Sequence, residues 1–239
     1  MENKLKYASR EDQTNKILAI LQDFIGDELN NLICTDIGCN TGEISIQLAP
    51  HLKAIFGIDN ETKYIHTALN FNKNNNAFFS VADACHIPFP DETFDLVICA
   101  QVYEHLSEPS LLVKEIWRIL RPTGVCFFSG PNRYSLIEEH YWLPFLSWLP
   151  RSISNRYLNV FRHISEYNIN PKSYWQLLSI WEQFDINDYS IKLIKKPTKY
   201  STVFQLKRLS WISKLPEWIL ELFVPLIPNY NWILTKPEN

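Results

Sequence analysis

The sequence predicts an α/β fold, a doubly wound, mostly parallel seven-stranded sheet with helices on both faces. Three observations carry the prediction. Short apolar runs rich in β-branched and aromatic residues recur at 32–37, 54–58, 77–82, 94–99, 125–129, 185–191 and 231–235. Helix-period segments separate them. A chain of 239 residues buries a sizeable core as one such domain and does not require a second.

The elements follow in order. Residues 13–25 place Ile17, Leu18, Leu21, Phe24 and Ile25 on one helical face. Ser107-Glu108-Pro109 reads as a helix start, with Leu112, Ile116, Ile119 and Leu120 toward the core and Arg121-Pro122-Thr123-Gly124 as the stop. A helix expected at 171–184 opens at Asn170-Pro171 and buries Tyr174, Leu178 and Trp181. Pro216–Val224 is helix-like.

Composition narrows the class. A net charge of -3 gives no reason to expect nucleic acid as a partner. The charge is uneven: residues 1–132 carry 10 Lys and Arg against 17 Asp and Glu, and residues 133–239 carry 13 against 9. No run of 18 uncharged apolar residues exists, and the start Met1-Glu2-Asn3-Lys4 does not read as a signal peptide. Five cysteines (34, 39, 85, 99, 126) without CxxC spacing read as reduced thiols, so a cytoplasmic location is expected.

In a doubly wound sheet, ligands lie at the carboxyl ends of the strands. There the sequence sets its polar residues. Asp36-Ile37-Gly38-Cys39-Asn40-Thr41-Gly42 follows the first strand, and its glycines let the chain turn sharply and a ligand approach the backbone. Asp59 ends the second strand, placed to accept from both hydroxyls of a ribose. Asp83-Ala84 follows the third, placed so that it could meet the amino edge of an adenine. Gln101 and Glu104-His105 follow the fourth, and Ser129-Gly130-Pro131-Asn132 ends the fifth.

Together "DIGCNTG", "GID", "VADACHIPFPDETFDLVICAQVYEHL" and "EIWRILRPTGVCFFSGPN" resemble the class I S-adenosylmethionine-dependent methyltransferases, in their small-molecule type 11 group. The resemblance covers residues 32–132 well and the rest loosely. It implies a Rossmann-like methyltransferase fold with S-adenosyl-L-methionine as cofactor. Asp36 and the loop Gly38, Cys39, Asn40, Gly42 would hold the methionine part, Asp59 the ribose, and Asp83, Ala84 and Gln101 the remaining edge. The family's middle glycine is Asn40 here, a residue that tolerates left-handed backbone.

Two rival readings remain beside it. A nicotinamide-dependent enzyme also uses a glycine turn and an acid, but its G-x-G-x-x-G is G-x-x-x-G here. A non-catalytic protein that keeps the fold for binding is the other.

Methyl transfer asks for an acceptor held in line in a site that excludes water, and a hydroxyl acceptor benefits from a general base. His140 and His105 are the catalytic candidates. Some ubiquinone-biosynthesis O-methyltransferases have an acid three residues ahead of the Glu-His pair, and those three residues bind a divalent cation. That position is Gln101, so no metal is expected.

Beyond residue 132 the composition changes, with seven of eight tryptophans. Residues 133–170 are expected to form a substrate lid over a small or amphipathic acceptor such as a sugar, quinone or lipid-linked compound, with Asn132 and Tyr141 on the acceptor side. Residues 192–230 form a basic and aromatic insertion (Lys192, Lys195, Lys196, Lys199, Lys207, Arg208, Lys214, Trp211) compatible with a peripheral membrane contact. Acceptor atom and oligomeric state are not readable.

Overall fold

The computed structural model describes residues 9–203 and 210–237; Lys207 and Arg208 of the basic segment lie outside the described residues. A seven-stranded sheet organises the chain. Strands β1 (Ile33–Ile37), β2 (Ala54–Asp59), β3 (Ala77–Val81), β4 (Phe94–Ala100) and β5 (Leu120–Pro131) run parallel. After a small hairpin of β6 (Ile137–Glu138) and β7 (Leu143–Pro144), strands β8 (Asp185–Asp188) and β9 (Asn229–Thr235) complete the sheet. The order is β3-β2-β1-β4-β5-β9-β8, with β9 antiparallel to both neighbours. The expected doubly wound α/β sheet is therefore the observed one.

Helices cover both faces. Helix α1 (Arg10–Ile25), opened by a Ser9–Asp12 capping box, packs Ile17, Ile20 and Leu21 on one face beside Leu48 of α2 (Glu43–Leu48). Helix α3 (Thr62–Phe71) links β2 to β3. On the opposite face α4 (Pro109–Ile119) buries Leu112, Val113, Ile116 and Ile119 against Phe94, Val97 and Phe128. Helix α5 (Arg151–Arg162) belongs to the lid. Helix α6 (Tyr174–Ile180) lies on the α4 face, and α7 (Ser190–Lys195) lies on the α1 face.

Several boundaries differ from expectation. The segment 121–124 does not end a helix in a free turn. Leu120 already pairs with Phe94, so β5 begins there and runs through a register shift opposite Phe94–Leu96. Helix α6 starts after Ser173, whose hydroxyl accepts the Gln176 N–H while the Gln176 side chain answers the Ser173 N–H; this capping box displaces Asn170 as the cap. The fully buried residues there are Leu177 and Trp181, with Tyr174 and Leu178 half-buried. The eighth strand stops at Asp188, because its carboxylate accepts the Ser190 N–H and turns the chain into α7.

All five parallel strands present their carboxyl ends on one edge, and the segment 133–170, the expected lid, leaves the sheet there after β5. It has its own small core, Leu143, Leu146, Leu158, Tyr167 and Ile169. Asn132 fixes its root. The buried amide donates to the carbonyls of Pro225 and Ile227 at 2.8 and 2.9 Å and accepts the Tyr134 N–H at 3.0 Å. Asn132→Ala leaves three part-buried groups without this partner, so urea unfolding is expected to show a loss of about 1–3 kcal/mol with an unchanged m-value.

Candidate functional site

The loop after β1 is built by backbone demands. Gly38, Asn40 and Gly42 have φ of 69°, 52° and 75°, the left-handed region that glycine and asparagine enter cheaply. A Cβ on Gly38 would stand 2.7 Å from Val102 Cγ2, and one on Gly42 2.7 Å from the Ala68 Cβ. The glycines thus serve close packing from behind the loop as well as its turn. Cys39 is buried and its thiol is pushed up by burial, so it offers the loop backbone rather than a reactive sulfur.

Two acids brace this loop. Asp36 lies buried at the end of β1 and takes a hydrogen bond from the Ser45 hydroxyl; burial pushes its carboxyl up to about 7. Asp59 accepts the Asn40 N–H on one oxygen and the Glu61 N–H on the other, both at 2.9 Å. Each carboxylate oxygen has a second lone pair, so two vicinal hydroxyls remain acceptable to it. Asp83 is exposed, accepts the Cys85 N–H at 2.8 Å and meets His86 Nδ1 at 3.2 Å. Ala84 packs half-buried beside the α4-face core. Gln101 turns the end of β4 at a φ of 60°, its N–H on the Ser129 carbonyl. These donors and acceptors fit a nucleoside with free ribose hydroxyls.

A second group stands at the lid. The turn Tyr103–His105 follows β4 and buries Glu104 completely, with no hydrogen-bond partner on either carboxylate oxygen among the described residues. Its Oε1 lies 3.7 Å from His140 Nε2 and 3.9 Å from His105 Nε2. The two imidazoles cross edge to face at 5.6 Å. One ligand atom from each of Glu104, His105 and His140 falls within 4.8 Å of the others, a spacing that would hold a divalent cation. Gln101 takes no part in this group; the third donor comes from the lid instead.

Electrostatics separates the two histidines. Burial pulls both down, and His140 adds to the depression at His105. At His140 the carboxylates of Glu138, Glu104 and Glu139 outweigh burial, and the net direction is upward. Glu138 is the residue that sequence reasoning missed. It is buried, accepts from His140 Nδ1 at 2.9 Å and from the Tyr141 N–H at 2.7 Å. A donor at Nδ1 leaves the Nε2 lone pair of neutral His140 facing Glu104 and His105. Burial pushes the Glu104 carboxyl itself up to about 7. Tyr141 is tied within the lid by its hydroxyl, which donates to Asn168 at 2.8 Å. Asn132 is spent on the lid root, so its side chain reaches neither cluster.

Comparison with known proteins agrees with this geometry. A family described as a methyltransferase domain, of the type 11 group, matches residues 35–128, which hold the loop, Asp59, Asp83 and the Glu104–His105 turn. The chain is 26% identical over 185 residues to an uncharacterized methyltransferase, YcgJ, of Bacillus subtilis, covering 75% of this chain and 63% of that protein. It is 29% identical over 125 residues to a ubiquinone biosynthesis O-methyltransferase of Actinobacillus pleuropneumoniae, covering 46% of this chain and 52% of the other. The matched stretches thus span roughly half to two thirds of these relatives' length. In fold, the PH0226 protein of Pyrococcus horikoshii superposes with a TM-score of 0.63 at 16% identity, covering 98% of this chain and 94% of that one. Loop, acids and strand order accompany that match: residues 35–128 carry a methyltransferase domain of the type 11 group, within the Rossmann-like fold of the class I S-adenosylmethionine-dependent methyltransferases.

Proposed function

We propose that the protein transfers a methyl group from S-adenosyl-L-methionine to a hydroxyl of a small amphipathic acceptor bound under the lid, with His140 as the general base. The observation that carries this is the Glu138–His140 pair, whose 2.9 Å contact orients an imidazole toward Glu104 and His105. When bound, the cofactor supplies an electrophilic methyl on a sulfonium. The chain supplies the rest: Asp59 accepts the ribose hydroxyls, Asp36 and the Gly38–Gly42 loop line the methionine end, and Asp83 with Ala84 lies at the adenine end. His140 Nε2 takes the acceptor's proton, Glu138 stabilises the resulting imidazolium, and the lid's aromatic residues exclude water. The ubiquinone O-methyltransferase relative supports an oxygen acceptor of mixed polarity. The exposed Trp211, Trp218 and Leu222, beside Lys214, support work at a membrane surface.

The spacing of Glu104, His105 and His140 favours a second reading, a divalent cation that positions the acceptor oxygen. Mixed carboxylate and imidazole donors suit zinc or another first-row transition ion. Exhaustive chelation decides: unchanged turnover supports the base alone, and a loss restored by added zinc or manganese supports the cation.

By calorimetry, Asp59→Ala weakens cofactor binding by about 1.5–3 kcal/mol. Gly38→Val, which forces a branched side chain onto Val102 at positive φ, abolishes it. Unchanged affinity in both variants rejects the cofactor site.

His140→Ala lowers methyl transfer by about 10²–10⁴-fold with cofactor affinity intact. The rate of the native enzyme rises with pH through a midpoint above 6.5, because the base acts deprotonated and its carboxylate neighbours hold its proton. Glu138→Gln removes the strongest of those neighbours, so the midpoint falls. An unshifted profile removes Glu138 from the mechanism.

Glu104 gives a stability test. Its folded pKa, about 7, lies above the ordinary 4.5, so the folded state disfavours ionisation. That stability is whole below 4.5 and lost as pH rises through 7. Glu104→Gln does not ionise. In chelator-containing buffer its stability relative to the native protein should rise between pH 5 and pH 8, by on the order of 3 kcal/mol. Thermal melts at the two pH values measure this.

A further inference from the structure

We propose that the outer face of α5 docks on an anionic bilayer surface. The proposal rests on the peripheral membrane reading above and deepens it, by moving the contact from the 192–230 segment to the lid and naming the lipid charge.

Helix α5 has two apolar faces where one would suffice. Its inner side is accounted for: Leu158 is fully buried in the lid core, and the Ser154 hydroxyl donates to the carbonyls of Leu146 and Leu149. The outer stripe is Ile153, Tyr157, Val160 and Phe161, spaced i, i+4, i+7, i+8. Val160 is 63% exposed and Phe161 60%, although both are large and apolar. These four side chains line a shallow recess rimmed by Arg156. Just ahead of the helix in sequence, Phe145 and Trp148 are also exposed and pack edge to face at 5.4 Å. Contiguous exposed apolar surface of this kind marks an interaction site.

Charge selects the occupant. From His140 to Ser165 the chain has three arginines and no carboxylate, within a protein of net charge -3. Arg151 donates to the Tyr167 and Ile169 carbonyls and Arg162 to those of Tyr141 and Trp142, so neither charge is neutralised by an acid. An amphipathic helix with arginines beside an aromatic and aliphatic stripe lies in the plane of an anionic interface. Because Tyr141 and the helix share the lid, docking there would set the acceptor pocket against the bilayer.

Vesicle flotation tests the proposal on the full chain. The native protein should float with phosphatidylcholine vesicles that contain phosphatidylglycerol and at least tenfold less with phosphatidylcholine alone. Val160→Glu with Phe161→Glu should reduce flotation at least tenfold, and the milder Phe161→Ser severalfold. Leu69→Glu with Phe71→Glu, equally exposed on α3, should leave it unchanged. Each variant should keep native cofactor affinity by calorimetry, which shows that it is folded. A native protein that does not float overturns both the membrane reading and this proposal. Native flotation that survives the α5 changes overturns the α5 assignment alone, and loss on Trp218→Glu would then return the contact to the 192–230 segment. Equal flotation on neutral vesicles rejects the charge argument. A concentration-dependent dimer, abolished by the same α5 changes in sedimentation, would replace the bilayer by a second copy of the chain.

Discussion

The short turn Tyr103–His105 is the contact on which both halves of the site depend. Just before it, Val102 presses where Gly38 has no side chain, so the cofactor loop and the end of β4 are packed as one piece. Within it, the Tyr103 ring lies where a Cβ on Gly130 would stand, and its hydroxyl donates to the Pro131 carbonyl and accepts the Lys172 N–H. The Glu104 carbonyl takes the Asn170 N–H at 2.9 Å. The turn therefore joins the loop that would carry the methyl donor to both roots of the lid that would carry the acceptor. In-line transfer tolerates little misplacement, and a shared turn keeps the two parts in register.

The same turn carries a buried carboxylate with no hydrogen-bond partner among the described residues. A buried carboxylate without hydrogen bonds is costly unless it is neutral or paired. Burial raises Glu104 to about 7, and the surrounding carboxylates raise His140. Both shifts favour the protonated form, and the two groups face each other at 3.7 Å. The first half of the chain fits this picture in a broader way. Its excess of acids, with Asp36, Asp59 and Asp83 at strand ends, suits a cationic sulfonium cofactor.

The strand-end residues were legible because the motif and the fold coincide: a parallel sheet puts the end of every strand on one edge, and a short continuous apolar run announces each end. Boundaries that depend on long-range pairing were not legible. Leu120 looks like the last turn of α4 until Phe94 pairs with it. Asn170 looks like a cap until Ser173 and Gln176 make a better one. Glu138 was invisible for a related reason. It sits in a two-residue strand with no periodicity to detect, and only the hairpin turns it back on His140. The sequence named His105 and His140 as separate candidates. Their meeting at Glu104 is a property of the lid's placement, which local pattern does not encode.

The lid explains why its composition departs from the rest of the chain. It is thin, so one layer of side chains must close the site, fill a small core and face outward. Leu158 and Tyr167 do the second task, and Glu138, His140 and Tyr141 do the first. Phe161 packs edge to face on Tyr157, and Trp148 on Phe145 and Tyr134, yet both still leave apolar surface outward, which contact with water alone does not reward. An acceptor with an apolar tail and a reactive hydroxyl asks for both sides at once: a polar, proton-accepting interior and an outer surface that tolerates lipid. On the proposed function, the apolar exterior and the half-buried His140 would answer one substrate requirement on opposite faces of the same segment.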